Sequence, residues 1–370
     1  MNKGGFDKLN HRMLSTHRTL SLSKCPKILQ QSGGMAVIIL ISLAVMVALA
    51  FILSKQPGRT LWYFFLGPFR NVYNFGNMLN SSIPLIFGGL GIAISMQAGV
   101  FNLGGEGQIY SGAFITTILA IALQPLGLFG AIIALLIGSS FAGIVASFSG
   151  WLKVRLNATE LITTFLLSNA LILIVSWCIT GPFMDPESNL QTTKKVADAF
   201  RLPRIMPPSN LSAAIIIAIV VIVIGYYFLY KSRAGYEILM TGLNSRFASY
   251  GGINTGKNIV LAMFISGFLY GFAGGLSIYG TYYSTMKEFS SGMGWNGLAV
   301  ALIAGLKPQA VIPAAIFFAW LGAGARSAMQ FSDVTSEVSS IVQSVLFFLV
   351  TSVVLKNLFV RNKAKTGAPL

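Results

Sequence analysis

Histidine and cysteine are nearly missing from this chain, with two of each in 370 residues. His11 and His17 both fall in the polar N-terminal stretch, while Cys25 and Cys178 lie far apart. Neither residue type has the spacing of a metal or redox motif, and a His-based nucleophilic triad has nothing to draw on. No catalytic residue, metal ligand or cofactor is therefore expected. Charge is scarce as well. Charged residues make up 10% of the chain, against about 25% in soluble domains. A water-soluble fold this apolar could not cover its surface. With ten Asp and Glu in all, chains of acidic groups able to relay protons through a membrane are also lacking, which argues against an ion-coupled carrier.

Hydrophobic sequence takes their place, at 54% of residues and a mean hydropathy of +0.72. It is gathered into blocks of roughly 17–25 residues, the length that crosses a bilayer core of about 30 Å. The blocks are continuous, as in Met35–Leu53, and do not alternate, which selects helices over barrel strands. The expected fold is an all-α polytopic membrane protein with about ten transmembrane helices. They lie near 34–54, 77–99, 104–124, 128–150, 158–180, 211–230, 258–280, 292–306, 309–327 and 337–357. The eighth is short enough to be re-entrant.

The net charge of +16 raises a nucleic-acid reading. Most Lys and Arg instead fall between the apolar blocks, where they hold connections on the cytoplasmic side, so no nucleic-acid partner is expected. Residues 1–33 form a basic segment ahead of a block too long for a signal peptide, read as an uncleaved first span. This gives a transmembrane domain over 34–358, N-in and C-in, with a cytoplasmic tail at 359–370. The loop 231–257 is cytoplasmic and 181–210 extracytoplasmic. The latter is polar and carries Pro182, Pro186, Pro203, Pro207 and Pro208, as a solvent-exposed connection should.

Three polar, glycine-rich stretches interrupt this pattern. The first, Gly99-Val100-Phe101-Asn102-Leu103-Gly104-Gly105-Glu106-Gly107-Gln108, would be costly against lipid. It is either a broken helix beside a solute path, with Glu106 facing a cavity, or a turn whose glycines serve helix packing. The second is the basic loop. Residues from Asn244 to Tyr250, bounded by Gly242 and Gly251, could form a short helix suited to docking a partner, or a plain connection. Inside that loop, Gly251-Gly252-Ile253-Asn254-Thr255-Gly256-Lys257-Asn258 nearly matches a phosphate-binding loop. It ends in Asn258 where a hydroxyl is needed and has no strand before it. The third, Gly292-Met293-Gly294-Trp295-Asn296-Gly297, lies in the other half of the chain, as inverted repeats would require. Glu160, opening the fifth span, reads as a helix-start carboxylate.

The first stretch resembles a signature of bacterial nucleoside-type ABC importer permeases, within the wider branched-chain amino acid and ribose permease superfamily. Gly242–Ile253 is similar to that family's cytoplasmic segment, and Gly294–Pro308 to its glycine- and alanine-rich region. The resemblance runs from about 77 to 355. It implies a type II ABC importer-like fold with inverted repeats, and import of a small solute by alternating access. Nucleosides are the expected solute, with riboflavin or a sugar as the alternative. It implies that Phe101, Asn102, Glu106, Gln108 and Asn296 line the translocation path. It also implies that Gly242, Asn244, Arg246, Phe247, Ala248, Tyr250 and Gly251 seat in an ABC ATPase subunit. The implied partners besides that ATPase are a second related permease, forming a heterodimer, and an extracytoplasmic substrate-binding lipoprotein. Phe247 departs from the family by standing where a small residue is usual, and Gly105 by standing where alanine is common. An ion-coupled secondary carrier and an intramembrane enzyme are the rival readings; the enzyme lacks a nucleophile–base pair.

Overall fold

The computed structural model describes residues 54–333 without a break, together with 44, 47, 48, 50–52, 341, 344 and 345. The chain divides into two compact units, Met1–Ser54 with Ser340–Leu370, and Lys55–Ser339. Apart from those scattered positions, the basic segment 1–33, the expected spans at 34–54 and 337–357 and the tail 359–370 lie outside the described residues.

The second unit is helical. Its α-helices are α1 (Pro57–Leu66), α2 (Val72–Gln97), α3 (Gly105–Ala122), α4 (Gly127–Leu156), α5 (Glu160–Thr180) and α6 (Ala214–Lys231), then α7 (Arg233–Leu243), α8 (Ser245–Tyr250), α9 (Thr255–Ser277), α10 (Met293–Ile303) and α11 (Pro308–Phe331). A π-helical turn, Ile278–Tyr282, extends α9. Among the described residues β structure is confined to two isolated bridges. Six segments among the described residues are long and apolar enough to cross a membrane. They contain α2, α4, α5, α6, α9 and α11. The expected span at 104–124 is present as α3, but it opens on Gly-Glu-Gly-Gln and is less apolar. The one at 292–306 is present as α10, 11 residues long and so about 16 Å, half a bilayer. The stretch 55–76, left between the first two expected spans, contains α1, which starts at Pro57, a residue preset for a first helical turn.

Which helix sits where follows from side-chain size. In α2, 83% of the apolar window is buried, against 22% in α5. The α2 helix is therefore central, packed on α9, α10 and α11. Exposed Ile132 and Leu136 on α4, Ile162 and Leu166 on α5 and Ile216 and Val220 on α6 make an apolar rim suited to lipid. Glycines set a close approach between α3, α4 and α9. A Cβ on Gly112 would lie 2.5 Å from the Gly271 Cα, and one on Gly271 would lie 2.7 Å from the Ala142 Cβ. Small residues allow such backbone contact where no hydrophobic drive holds helices together. Gly112→Val is expected to lower the stability of the detergent-extracted protein by about 3 kcal/mol or more. Gly58→Ala, where a Cβ meets nothing within 4 Å, serves as the neutral control; equal melting of both variants would refute the seam.

The unit has two ends. Gln97, Lys231, Thr255 and Leu306 gather at one, where Gln97 Nε2 donates to the Leu306 carbonyl at 3.0 Å and a Cβ on Gly256 would meet Val154. The basic residues Lys153, Lys231, Lys257 and Lys307 share this end, here called the basic end. The 181–210 connection lies at the opposite end, and its five prolines are exposed as expected, but part of it is anchored. Thr192, Thr193, Val196 and Phe200 are buried. Thr193 N donates to the Thr285 carbonyl at 3.1 Å and Val196 N to that of Tyr283 at 2.8 Å. Polar backbone is satisfied by pairing with 279–287, so the proline-punctuated segment folds down onto the helices.

Candidate functional site

The first and third glycine-rich stretches meet. Thr117 and Thr285 share a hydroxyl bond of 2.7 Å, the Glu288 N–H donates to the Tyr110 hydroxyl at 3.2 Å, and the N–H groups of Gly292 and Gly294 donate to the two Glu106 carboxylate oxygens, each at 2.9 Å. The chain from 285 to 294 thus descends beside α3 from Thr117 to Glu106, about 16 Å at 1.5 Å per residue, before α10 begins. Non-helical backbone at that depth is tolerated only inside protein or beside water. Residues 98–104 make the matching break after α2. The result is two broken spans whose helices, α3 and α10, begin at the same level.

Glu106 holds them together. Helix N-termini leave N–H groups unpaired and carry partial positive charge. The Glu106 carboxylate stands in the first turn of α3 and accepts from the start of α10, so one anion serves both helices. Gly294 is needed for the approach, because a Cβ there would lie 2.5 Å from the Gly105 carbonyl carbon. Tyr270, fully buried, seals the joint by donating to the Gly294 carbonyl at 3.1 Å. Its ring also explains one departure from the resembled signature, since a Cβ on Gly105 would sit 2.5 Å from Tyr270 Cζ.

Asn102 and Gln108 form a second brace. Asn102 Nδ2 donates to Gln108 Oε1 at 2.8 Å and to Ser266 Oγ at 3.0 Å. Asn102 Oδ1 accepts from Gln108 Nε2 at 2.9 Å and from the Gly104 N–H at 3.0 Å. Both amides are buried, 1% and 2% exposed, and each pairs reciprocally with the other. Two more hydroxyls fix the stretch to α5, with Leu103 N on Thr164 Oγ1 at 3.2 Å and Gly107 N on Ser168 Oγ at 2.8 Å. The sequence missed Ser168, Ser266 and Tyr270, which carry no local signal. Asn102→Leu leaves Gln108 with two unpaired buried groups, at about 1–3 kcal/mol each. A fall in melting temperature larger than that of Ser266→Ala is the expected result, and equal melting of the two would disprove the reciprocal pair. Phe101, Glu106 and Asn296 are half-buried.

At the basic end, the expected short helix is α8. Asn244, extended at φ −159°, ends α7 and caps α8, its Oδ1 accepting from Phe247 N at 3.1 Å. The exit is a Schellman-type turn, with Ile253 N on the Ala248 carbonyl at 3.0 Å and Gly252 at φ +80°, where glycine is least strained. The left-handed residue is Gly252; Gly251 has φ −78°. Ala248 faces inward at 2% exposure, while Phe247 and Tyr250 are 71% and 90% exposed. Arg246 is also exposed. Gly242 lies against the end of α2, where a Cβ would lie 2.9 Å from the Ala98 carbonyl carbon, and the Gly242 Cα is 3.3 Å from the Cβ position of Gly99. The phosphate-loop look-alike resolves into this turn plus the Asn254 cap of α9, whose side chain accepts from Lys257 N at 3.0 Å. Glu160 opens α5 as expected and pairs with Lys153 at 2.6 Å.

A family model for the permease component of branched-chain amino acid transport systems matches residues 74–351. A probable riboflavin import permease of Treponema pallidum is 33% identical over 85% of this chain and 84% of its own length. A guanosine ABC transporter permease of Bacillus subtilis is 29% identical over 77% of the chain and 83% of its own. A glucose ABC transporter permease of Haloferax volcanii is 28% identical over 81% and 82%. No solved structure matches.

Proposed function

The chain belongs to this family of ABC transporter permease components, and from that premise we propose that it carries a nucleoside into the cytoplasm, driven by an ATPase on a separate chain. It is a multi-pass membrane transport component, not an enzyme. The observation that carries the coupling is α8, a capped helix that presents two aromatics and an arginine to solvent while its flank, Gly242, bears on the end of α2. Closure of the ATPase halves pushes α8, moves α2, and reaches the broken spans through residues 98–104. In this reading Asn102, Gln108 and Glu106 brace the two spans, and Phe101 and Asn296 stand beside the opening path.

The basic end faces the cytoplasm, a second related permease completes the path, and an extracytoplasmic lipoprotein delivers the solute. The two broken spans support the inverted-repeat reading. Riboflavin is the second reading for the solute, favoured by the 33% identity to the riboflavin import permease of Treponema pallidum. The test is mild-detergent purification of the tagged chain from its own membrane, with identification of co-purifying proteins and small molecules. An ATPase and a nucleoside support the proposal, a flavin replaces the solute, and recovery of the chain alone refutes ATP coupling.

A further inference from the structure

Arg326 is a cation in the wrong place for lipid. It sits more than a turn inside α11, away from the basic end, and is exposed. At about 1.5 Å per residue it lies some 27 Å along the helix from Pro308. A charged residue facing hydrocarbon costs on the order of 3 kcal/mol or more, so such residues face water or protein. Arg326 does not reach outward. Its Nη2 donates across the helix pair to Ser81 Oγ on α2 at 3.3 Å, and the Tyr282 phenol lies within electrostatic reach. Among the described residues no carboxylate pairs with it. Next to Ser81, Asn80 Nδ2 donates to Thr281 Oγ1 at 3.0 Å, while Asn80 Oδ1 is buried and has no partner. Polar groups from three elements therefore converge, with guanidinium donors to spare and one acceptor unfilled. By contrast, the exposed faces of α4, α5 and α6 are mostly aliphatic and aromatic, as at Ile132, Leu136, Ile162, Leu166, Ile216 and Val220.

The geometry points to a water-filled solute path along the face of α2, Thr281–Tyr282 and α11, with Arg326 binding oxygen acceptors of the solute as it enters from the end opposite α8. The chemistry fits a solute bearing carbonyl oxygens beside N–H groups, which would answer Arg326 and Asn80 together. This rests on the permease reading. It differs from that reading in placing the solute contact on these residues, away from the buried Asn102–Gln108 pair.

The test uses the whole transporter in membranes, in a chain carrying Cys25→Ser and Cys178→Ser. Arg326→Cys, Ser81→Cys and, on the apolar face of α5, Leu166→Cys are exposed to a membrane-impermeant sulfonated methanethiosulfonate. Thiolates form in water, so positions 326 and 81 should react on the order of 100-fold faster than 166. Uptake of radiolabelled guanosine or riboflavin, whichever the wild type carries, should fall about 10-fold or more in Arg326→Ala and recover in part in Arg326→Lys. Reaction at 326 and 81 as slow as at 166 overturns the path. Wild-type uptake by Arg326→Ala overturns the contact. Failure of ATP-driven uptake by the wild type would instead strike the permease reading, since labelling does not depend on it.

Discussion

Alanine at both Phe247 and Tyr250 is expected to abolish ATP-driven uptake while leaving the chain folded in the membrane. Their exposures of 71% and 90% mean that the fold loses almost no packing when they are truncated. Ala248, between them, holds α8 to the body. Exposed aromatics and arginines at an interface centre contribute about 2 kcal/mol or more apiece. Two of them lost would weaken the docking of an ATPase by about a thousandfold. Arg246→Glu should act in the same direction by charge reversal, leaving ATP hydrolysis uncoupled from uptake. The measurement is co-purification of the ATPase alongside uptake in proteoliposomes. Undiminished uptake in the double variant would remove α8 from the coupling role. A fall in the amount of inserted chain would reassign the aromatics to membrane anchoring.

The second large effect belongs to Glu106. From sequence, Glu106→Ala should reduce transport more than assembly. The two 2.9 Å bonds to Gly292 and Gly294 change that expectation to loss of both together. Hydrogen bonds to a charged group are worth about 1.5–3 kcal/mol each, and removing both leaves the α10 N-terminus with unpaired donors inside the protein. Glu106→Gln keeps an acceptor for one donor and loses the charge, so its effect should fall between wild type and alanine. Thermal unfolding in detergent, run beside uptake, decides between the two roles. Loss of uptake in a fully stable Glu106→Ala protein would return Glu106 to the lining of the path.

Much of the helical framework was legible in the sequence. The expected 128–150 and 158–180 became Gly127–Leu156 and Glu160–Thr180, because a span's length and apolarity are local properties. The Asn244 cap was legible for the same reason, since a capping side chain reaches only three residues on. Helix α1 was lost among the charges of 55–76, and α7 was read as loop because its amphipathic face is short. The partners of the polar stretches were out of reach altogether. Glu106 and Gly292 are 186 residues apart, Asn102 and Ser266 164 apart, and no periodicity links them. A membrane carboxylate reads as a path residue by default; only the far half of the chain shows it answering a helix start.

The half-length of α10 also bears on how the protein is made. A helix of only 11 residues, Asn296 among them, preceded by the polar stretch 283–292 has little reason to leave the translocon for lipid unaided, since an independent span needs about 20 apolar residues. Its partners on α2, α3 and α9 precede it in the chain, while α11, which also packs on it, follows. The receiving wall, with Glu106 and Tyr270 in place, is thus synthesised before the segment that needs it, and insertion of residues 283–303 becomes a templated step.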